Sequence, residues 1–282
     1  MGIEAGRTAL VVGAAGGIGL EAVRQLQGQA RIFAVVQNEE QAAQVAPLVV
    51  RSFVCDVADA ASVEALLAAL IPALAGRLDA LLFCAAVQPV SPVELMSRAA
   101  LEKIFAINVF GTVSVVQGML PLLRAARGRI VLFSSMAGRV AAPMIGGYAA
   151  SKFALEALAD ALRRELHGSG IAISLVEPGG VNTPMAAAQG PLVDQALAGM
   201  DAQTEAAYGA LYRGYRKMAT GALKFASKPE DVARVAVRAA IGPGMPKPRY
   251  LVGKDAQLTV LLSRLLPTRW MDAMLARMTS SK

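Results

Sequence analysis

The sequence predicts an α/β fold, a doubly wound parallel sheet built as a single domain over residues 1–282. Three observations carry that prediction. Short apolar runs rich in branched residues alternate with longer stretches of helical periodicity, the rhythm of strand–helix–strand units joined by right-handed crossovers. Several runs, LLFCAA at 81–86 among them, are apolar without alternation, as strands covered on both faces are. A glycine-rich turn follows the first run directly.

Taken in order, strands are predicted at 8–13, 31–36, 51–54, 79–85, 129–134, 171–176 and 249–252. Helices are predicted at 17–28, 61–75, 99–126 and 147–167. The rhythm breaks after Pro178-Gly179, where residues 185–225 form a Met/Ala/Tyr-rich insertion of weak periodicity, expected to be a helical substrate lid. A helix near 229–240 resumes it, GPGMPKP at 242–248 is a hinge, and residues 254–282 are a helical extension interrupted at Pro267.

Composition narrows the function classes. At 55% hydrophobic and 17% charged, against about 25% charged in an average chain, the sequence excludes disorder and supports a large core. Cys55 and Cys84 lie in apolar runs, which fits core packing and a reducing compartment rather than a disulfide framework. No apolar stretch reaches the roughly 20 uninterrupted residues of a membrane span, so a cytoplasmic location is expected. The net charge of +7 is lopsided: residues 213–282 carry 14 Lys/Arg and 4 Asp/Glu, whereas the rest carry 14 and 17. Three readings of that basic end stand open: a solvated face, capture of an anionic substrate, or peripheral contact with an anionic membrane through LTVLLSRLLPTRWMDAMLARM. No recognition motif accompanies the charge, so no nucleic-acid partner is expected. His167, the only histidine, ends a predicted helix just before a glycine, where it suits the helix dipole; no metal site is expected.

Two constellations carry chemistry. Gly13-Ala-Ala-Gly16-Gly17-Ile18-Gly19 lies between a predicted strand and helix, where glycines let backbone approach a pyrophosphate and the helix N-terminus offers free N–H groups. Tyr148 and Lys152 are four residues apart on a predicted helix and share a face. A phenol with a pKa of about 10 is a poor base at neutral pH. An ammonium ~4 Å away would be worth roughly 4 kcal/mol at an effective dielectric of ~20, about three pKa units. Tyr148 is therefore expected to have a lowered pKa. Ser135 ends an apolar strand thirteen residues earlier, and strand C-termini are where such sheets bind ligands.

The G-x-x-x-G-x-G spacing of Gly13, Gly17 and Gly19, with Ser135, Tyr148 and Lys152, resembles the short-chain dehydrogenase/reductase family, whose sheet is of the Rossmann type. The resemblance covers about residues 7–252. It implies reversible hydride transfer with NAD or NADP: Tyr148 exchanges a proton with the substrate oxygen, Ser135 polarises that oxygen, and Lys152 lowers the phenol pKa and binds the cofactor ribose. Asn108 would support the proton relay, Asp56 and Val57 would border the adenine, and Pro178, Gly179, Val181 and Thr183 resemble the segment that holds the carboxamide. Val36, Gln37 and Asn38 stand where an acidic residue would select NAD or a basic one NADP; Gln37 is the candidate contact, and neither charge is present. Phe83-Cys84-Ala85-Ala86 replaces the family's N-N-A-G, and Cys84 is read as a core residue. The stretch from Gly146 to Met185 is most like the hydroxysteroid and retinol dehydrogenase branch, which implies a lipophilic alcohol or ketone substrate and a homo-oligomer, dimer or tetramer. A competing reading keeps the fold without the chemistry, as a nucleotide-sensing protein.

Overall fold

In the computed structural model, which describes residues 6–280, seven strands form one parallel sheet. They are β1 (Thr8–Val12), β2 (Arg31–Val36), β3 (Arg51–Val54), β4 (Ala80–Phe83), β5 (Arg129–Phe133), β6 (Ala172–Pro178) and β7 (Arg249–Val252). Their order in the sheet is β3-β2-β1-β4-β5-β6-β7, so the chain reverses its direction of travel between β1 and β4. Crevices open at that point, at the carboxyl ends of the strands. The helices are α1 (Gly17–Leu26), α2 (Glu39–Val45), α3 (Ala60–Ala73), α4 (Arg98–Phe105), α5 (Thr112–Ala126), α6 (Gly146–Glu165), α7 (Pro184–Ala187), α8 (Gln189–Ala198), α9 (Ala202–Ala222), α10 (Pro229–Ile241), α11 (Lys254–Leu265) and α12 (Thr268–Met278).

Strand side chains alternate between faces, and both faces are apolar. Leu10, Val12, Phe33, Val35, Leu81, Phe83, Ile130, Leu132, Ile173 and Leu175 point to the layer of α3, α5 and α6. Ala9, Val11, Ile32, Ala34, Val36, Leu82, Val131 and Val176 point to the layer of α1 and α10. Smaller residues on the second face let α1 and α10 pack closely on the sheet and on each other. That double burial explains the unbroken apolar runs of the sequence.

Three differences from the expectations stand beside one agreement. Helix α2 was not foreseen; Asn38 caps it, its Oδ1 accepting the Gln41 N–H at 2.9 Å. The helix expected at 99–126 is divided by a π-helical turn at Ala106–Gly111. Gly111 sits in that turn because a Cβ there would stand 2.4 Å from the Val57 carbonyl oxygen. The weakly periodic insertion is helical as expected, containing α7, α8 and the 21-residue α9. Its pattern was faint because α9 buries Gly209, Tyr212, Gly214 and Tyr215 rather than a leucine stripe. Finally, the helical run Arg98–Ala126 has a window of mean hydropathy 1.6 and is by length and composition able to cross a membrane, although half of that window is buried inside the fold.

Candidate active site

The strand ends and the turns after them enclose one cleft of about 590 Å³. Gly13, Gly17, Ile18, Gly19, Gln37, Asp56, Val57, Ser135, Tyr148, Lys152, Pro178, Gly179, Val181 and Thr183 all line it. The structure thus brings together residues spread over 170 positions of chain, counted in round terms. Asn108 is the exception and lies behind the wall.

At one end the glycine turn leaves β1. Gly13 has φ +77°, and a Cβ on it would meet the Ala85 backbone nitrogen at 2.7 Å. A Cβ on Gly19 would reach 2.1 Å from the Gly13 carbonyl oxygen, so α1 can start beside the turn only with glycine there. Gly16 precedes α1 and no side chain caps that helix, which leaves its first N–H groups for a ligand. This cradle fits the pyrophosphate of a dinucleotide. Gln37 is exposed, and its N–H donates to Gln41 Oε1 at 3.0 Å; Gln41, which the sequence did not single out, shares the cleft wall. Asp56 shapes the turn after β3, its Oδ1 accepting the Ala58 N–H at 2.9 Å.

At the other end Ser135, Tyr148 and Lys152 meet, all of them buried. The Ser135 hydroxyl accepts the Ala137 N–H at 3.1 Å and faces the Pro178 carbonyl at 3.5 Å. Lys152 Nζ lies 5.5 Å from the centre of the Tyr148 ring and donates to the Phe133 carbonyl at 2.7 Å. Burial pushes the Tyr148 hydroxyl up to about 12, and the Ser135 hydroxyl pulls only partly against it. The expected lowering of the phenol is therefore corrected: desolvation raises it, and the Lys152 ammonium donates to the β5 carbonyl instead. Burial also pulls Lys152 down to about 8, while Cys84 and Glu156 favour its charged form. Tyr148 is thus held in its protonated form, and the Lys152 ammonium is brought toward neutrality.

Asn108 sits in the π-helical turn. Its Oδ1 accepts the Val87 N–H at 2.9 Å, and its Nδ2 donates to the Val87 carbonyl and to Ser151 Oγ, both at 3.0 Å. Ser151 Oγ in turn donates to the Tyr148 carbonyl at 2.7 Å. Asn108 is buried and fully engaged, and it joins the strand-four loop to the helix of Tyr148 and Lys152. Cys84 is partly buried: it packs against the core layer of α1 and α10 and also lines the cleft. Burial raises its thiol despite the nearby Lys152 charge.

Beneath the site lies an ionic cluster that the sequence reading missed. Glu177 and Glu156 are buried, and Arg249 Nε reaches both, at 3.2 and 3.0 Å. Arg139 reaches Glu177 at 3.3 Å, and Arg249 extends to Asp160 at 2.7 Å. Burial, reinforced by Glu156, raises the Glu177 carboxyl; the two arginines oppose it. A glutamate inside the apolar strand AISLVEP, and another one turn beyond Lys152, were the available signals. On the opposite rim, the Gly180 N–H donates to Asp255 Oδ2 at 2.7 Å, tying α11 to the loop after β6.

The family model described as short chain dehydrogenase matches residues 7–192. Retinol dehydrogenase 5 of Homo sapiens is 35% identical over 191 residues, 66% of this chain and 59% of that protein, so the chain spans about three fifths of that relative's length. The uncharacterized oxidoreductase YbbO of Escherichia coli (strain K12) is 31% identical over 271 residues, 95% of this chain and 94% of that protein. Among solved structures, a variant actinorhodin polyketide ketoreductase with NADPH superposes with a TM-score of 0.73 at 26% identity, covering 92% of this chain and 99% of that one.

Proposed function

Since the chain belongs to the short-chain dehydrogenase family, we propose that it is an NAD(P)-dependent oxidoreductase that interconverts a lipophilic alcohol and its carbonyl at Ser135, Tyr148 and Lys152. The observation that carries this reading is the convergence of those three buried side chains at one end of a cleft whose other end is a glycine-built, uncapped helix start. The bound nicotinamide supplies the hydride chemistry. Gly13, Gly17, Ile18 and Gly19 would hold its pyrophosphate, and Pro178, Gly179, Val181 and Thr183 its other end.

The residues have distinct tasks. Tyr148, protonated throughout the neutral range, donates its proton to a carbonyl oxygen as that oxygen gains charge, and takes a proton back in the reverse direction. Ser135 holds the same oxygen through its hydroxyl. The Lys152 ammonium, fixed by the Phe133 carbonyl, stabilises the phenolate that forms when the proton leaves. Apolar side chains on the wall, Ile145, Met185 and Met218 among them, exclude water and suit a lipophilic substrate. Neither an acidic nor a basic side chain stands at Val36 or Gln37, so both NAD and NADP are carried in the reading. Phe110, Phe153 and Leu158 stay exposed, which supports self-association of the enzyme.

The test is Tyr148→Phe. Turnover of alcohol or ketone should fall by roughly 10²–10⁴-fold while NADH or NADPH fluorescence titration stays near wild type. A variant that keeps wild-type turnover would overturn the assignment.

A further inference from the structure

Between Tyr148 and the lid, Ala137, Ile145, Met185, Met218 and Ala219 give the cleft an apolar wall. Two buried polar side chains of the lid helices also line it. Gln189, at the start of α8, and Tyr215, on α9, are buried, at 8% and 2% exposure, and both line the same cleft as Ser135, Tyr148 and Lys152. The Tyr215 hydroxyl donates to Gln189 Oε1 at 2.7 Å. That bond uses the phenolic proton and the amide oxygen. It leaves the amide N–H groups of Gln189 without a hydrogen-bond partner among the described residues, and the Tyr215 oxygen keeps its lone pairs. Burial keeps the Tyr215 phenol protonated, with Tyr148 nearby acting in the same direction.

Gln189 lines the cleft and its amide nitrogen is not sealed from it, so these donors are open to a ligand that enters there. An interaction between α8 and α9 alone needs no amide; a leucine packed on a phenylalanine would serve. We propose that Gln189 and Tyr215 form a polar subsite that receives a second oxygen of the substrate, remote from the reacting carbon, so that the enzyme selects lipophilic dioxygenated compounds, diketones or hydroxyketones, over monofunctional ones. Gln189 donates to that oxygen, and the Tyr215 bond fixes the amide in the donating orientation. Because the pair is mounted on α8 and α9, the lid carries specificity while the sheet carries the chemistry. This inference rests on the alcohol/carbonyl reading of the site, and the experiment separates the two.

The probes are matched pairs: decalones against decalindiones, and steroid monoketones against steroid diketones. Initial rates with NADPH and NADH give kcat/KM for each member of a pair. Calorimetric binding of the same compounds to the cofactor-saturated Tyr148→Phe protein measures recognition without turnover. Wild type should prefer the dioxygenated member at least tenfold in at least one pair. In Gln189→Leu that ratio should collapse toward one, and Tyr215→Phe should reduce it. A wild-type ratio near one throughout would overturn the subsite, as would a Gln189→Leu variant in which both members weaken by the same factor. If no compound turns over, the alcohol/carbonyl reading fails for this panel, and the binding ratios still decide the subsite.

Discussion

Replacing Lys152 by methionine tests whether its ammonium is held against its own preference. In the folded protein burial sets its pKa at about 8, against 10.5 for an ordinary lysine. Between those values the unfolded chain binds more protons than the folded one, so this residue makes stability rise with pH. Worked through both equilibria, the rise from pH 7 to pH 9.5 is about 2 kcal/mol. Methionine keeps the length and apolar stem of the side chain and removes the titration. Urea unfolding of wild type and Lys152→Met at the two pH values measures the effect as a difference of differences. Tyr148 and Cys84, whose raised pKa values would confuse either protein alone, are common to both and cancel to first order. Wild type should gain about 2 kcal/mol on the variant between pH 7 and pH 9.5. The same gap at both pH values, or one that moves the other way, would refute the desolvation argument. The corresponding kinetic expectation is a loss of kcat/KM above about pH 8 in wild type, as the ammonium that supports the phenolate disappears.

Three further outcomes are expected. Gly19→Ala should abolish cofactor binding in a fluorescence titration, because its methyl group would stand 2.1 Å from the Gly13 carbonyl oxygen. Arg249→Met should destabilise the protein by about 3–5 kcal/mol in chemical denaturation, since it leaves buried Glu156 and Glu177 facing each other with Arg139 alone. Asn108→Leu should cost roughly 1–3 kcal/mol in urea unfolding by orphaning the Val87 N–H and should lower kcat/KM, because it loosens both α6 and the Val87 segment of the cleft wall.

The central strands were legible because they are buried on both faces and mostly apolar, and the loop and the Tyr148–Lys152 spacing were legible because both are local in sequence. What escaped was decided by distant partners. Helix α2 depends on a cap at Asn38 that looks like an ordinary loop residue. The π-helical turn around Asn108 is set by Val57 and Val87, which sit in two other loops. The Tyr148 pKa was misjudged because helical spacing says that two side chains share a face, not that the lysine will turn to the Phe133 carbonyl while burial acts on the phenol. Gln189 and Tyr215 lie 26 positions apart in a segment whose apolar face is made of glycine, alanine and tyrosine, so no hydropathy pattern pairs them.

The bond from Asp255 to the Gly180 N–H has a thermodynamic consequence. It fastens the C-terminal helices to the loop that also carries Val181 and Thr183, so one joint serves two ligands. Any swing of those helices that widens access for a bulky guest must strain the grip on whatever the loop holds. By linkage the reverse is equally true: a ligand that tightens the loop draws the helices in. Ligands held by the loop and beside those helices would then have affinities coupled through a single carboxylate.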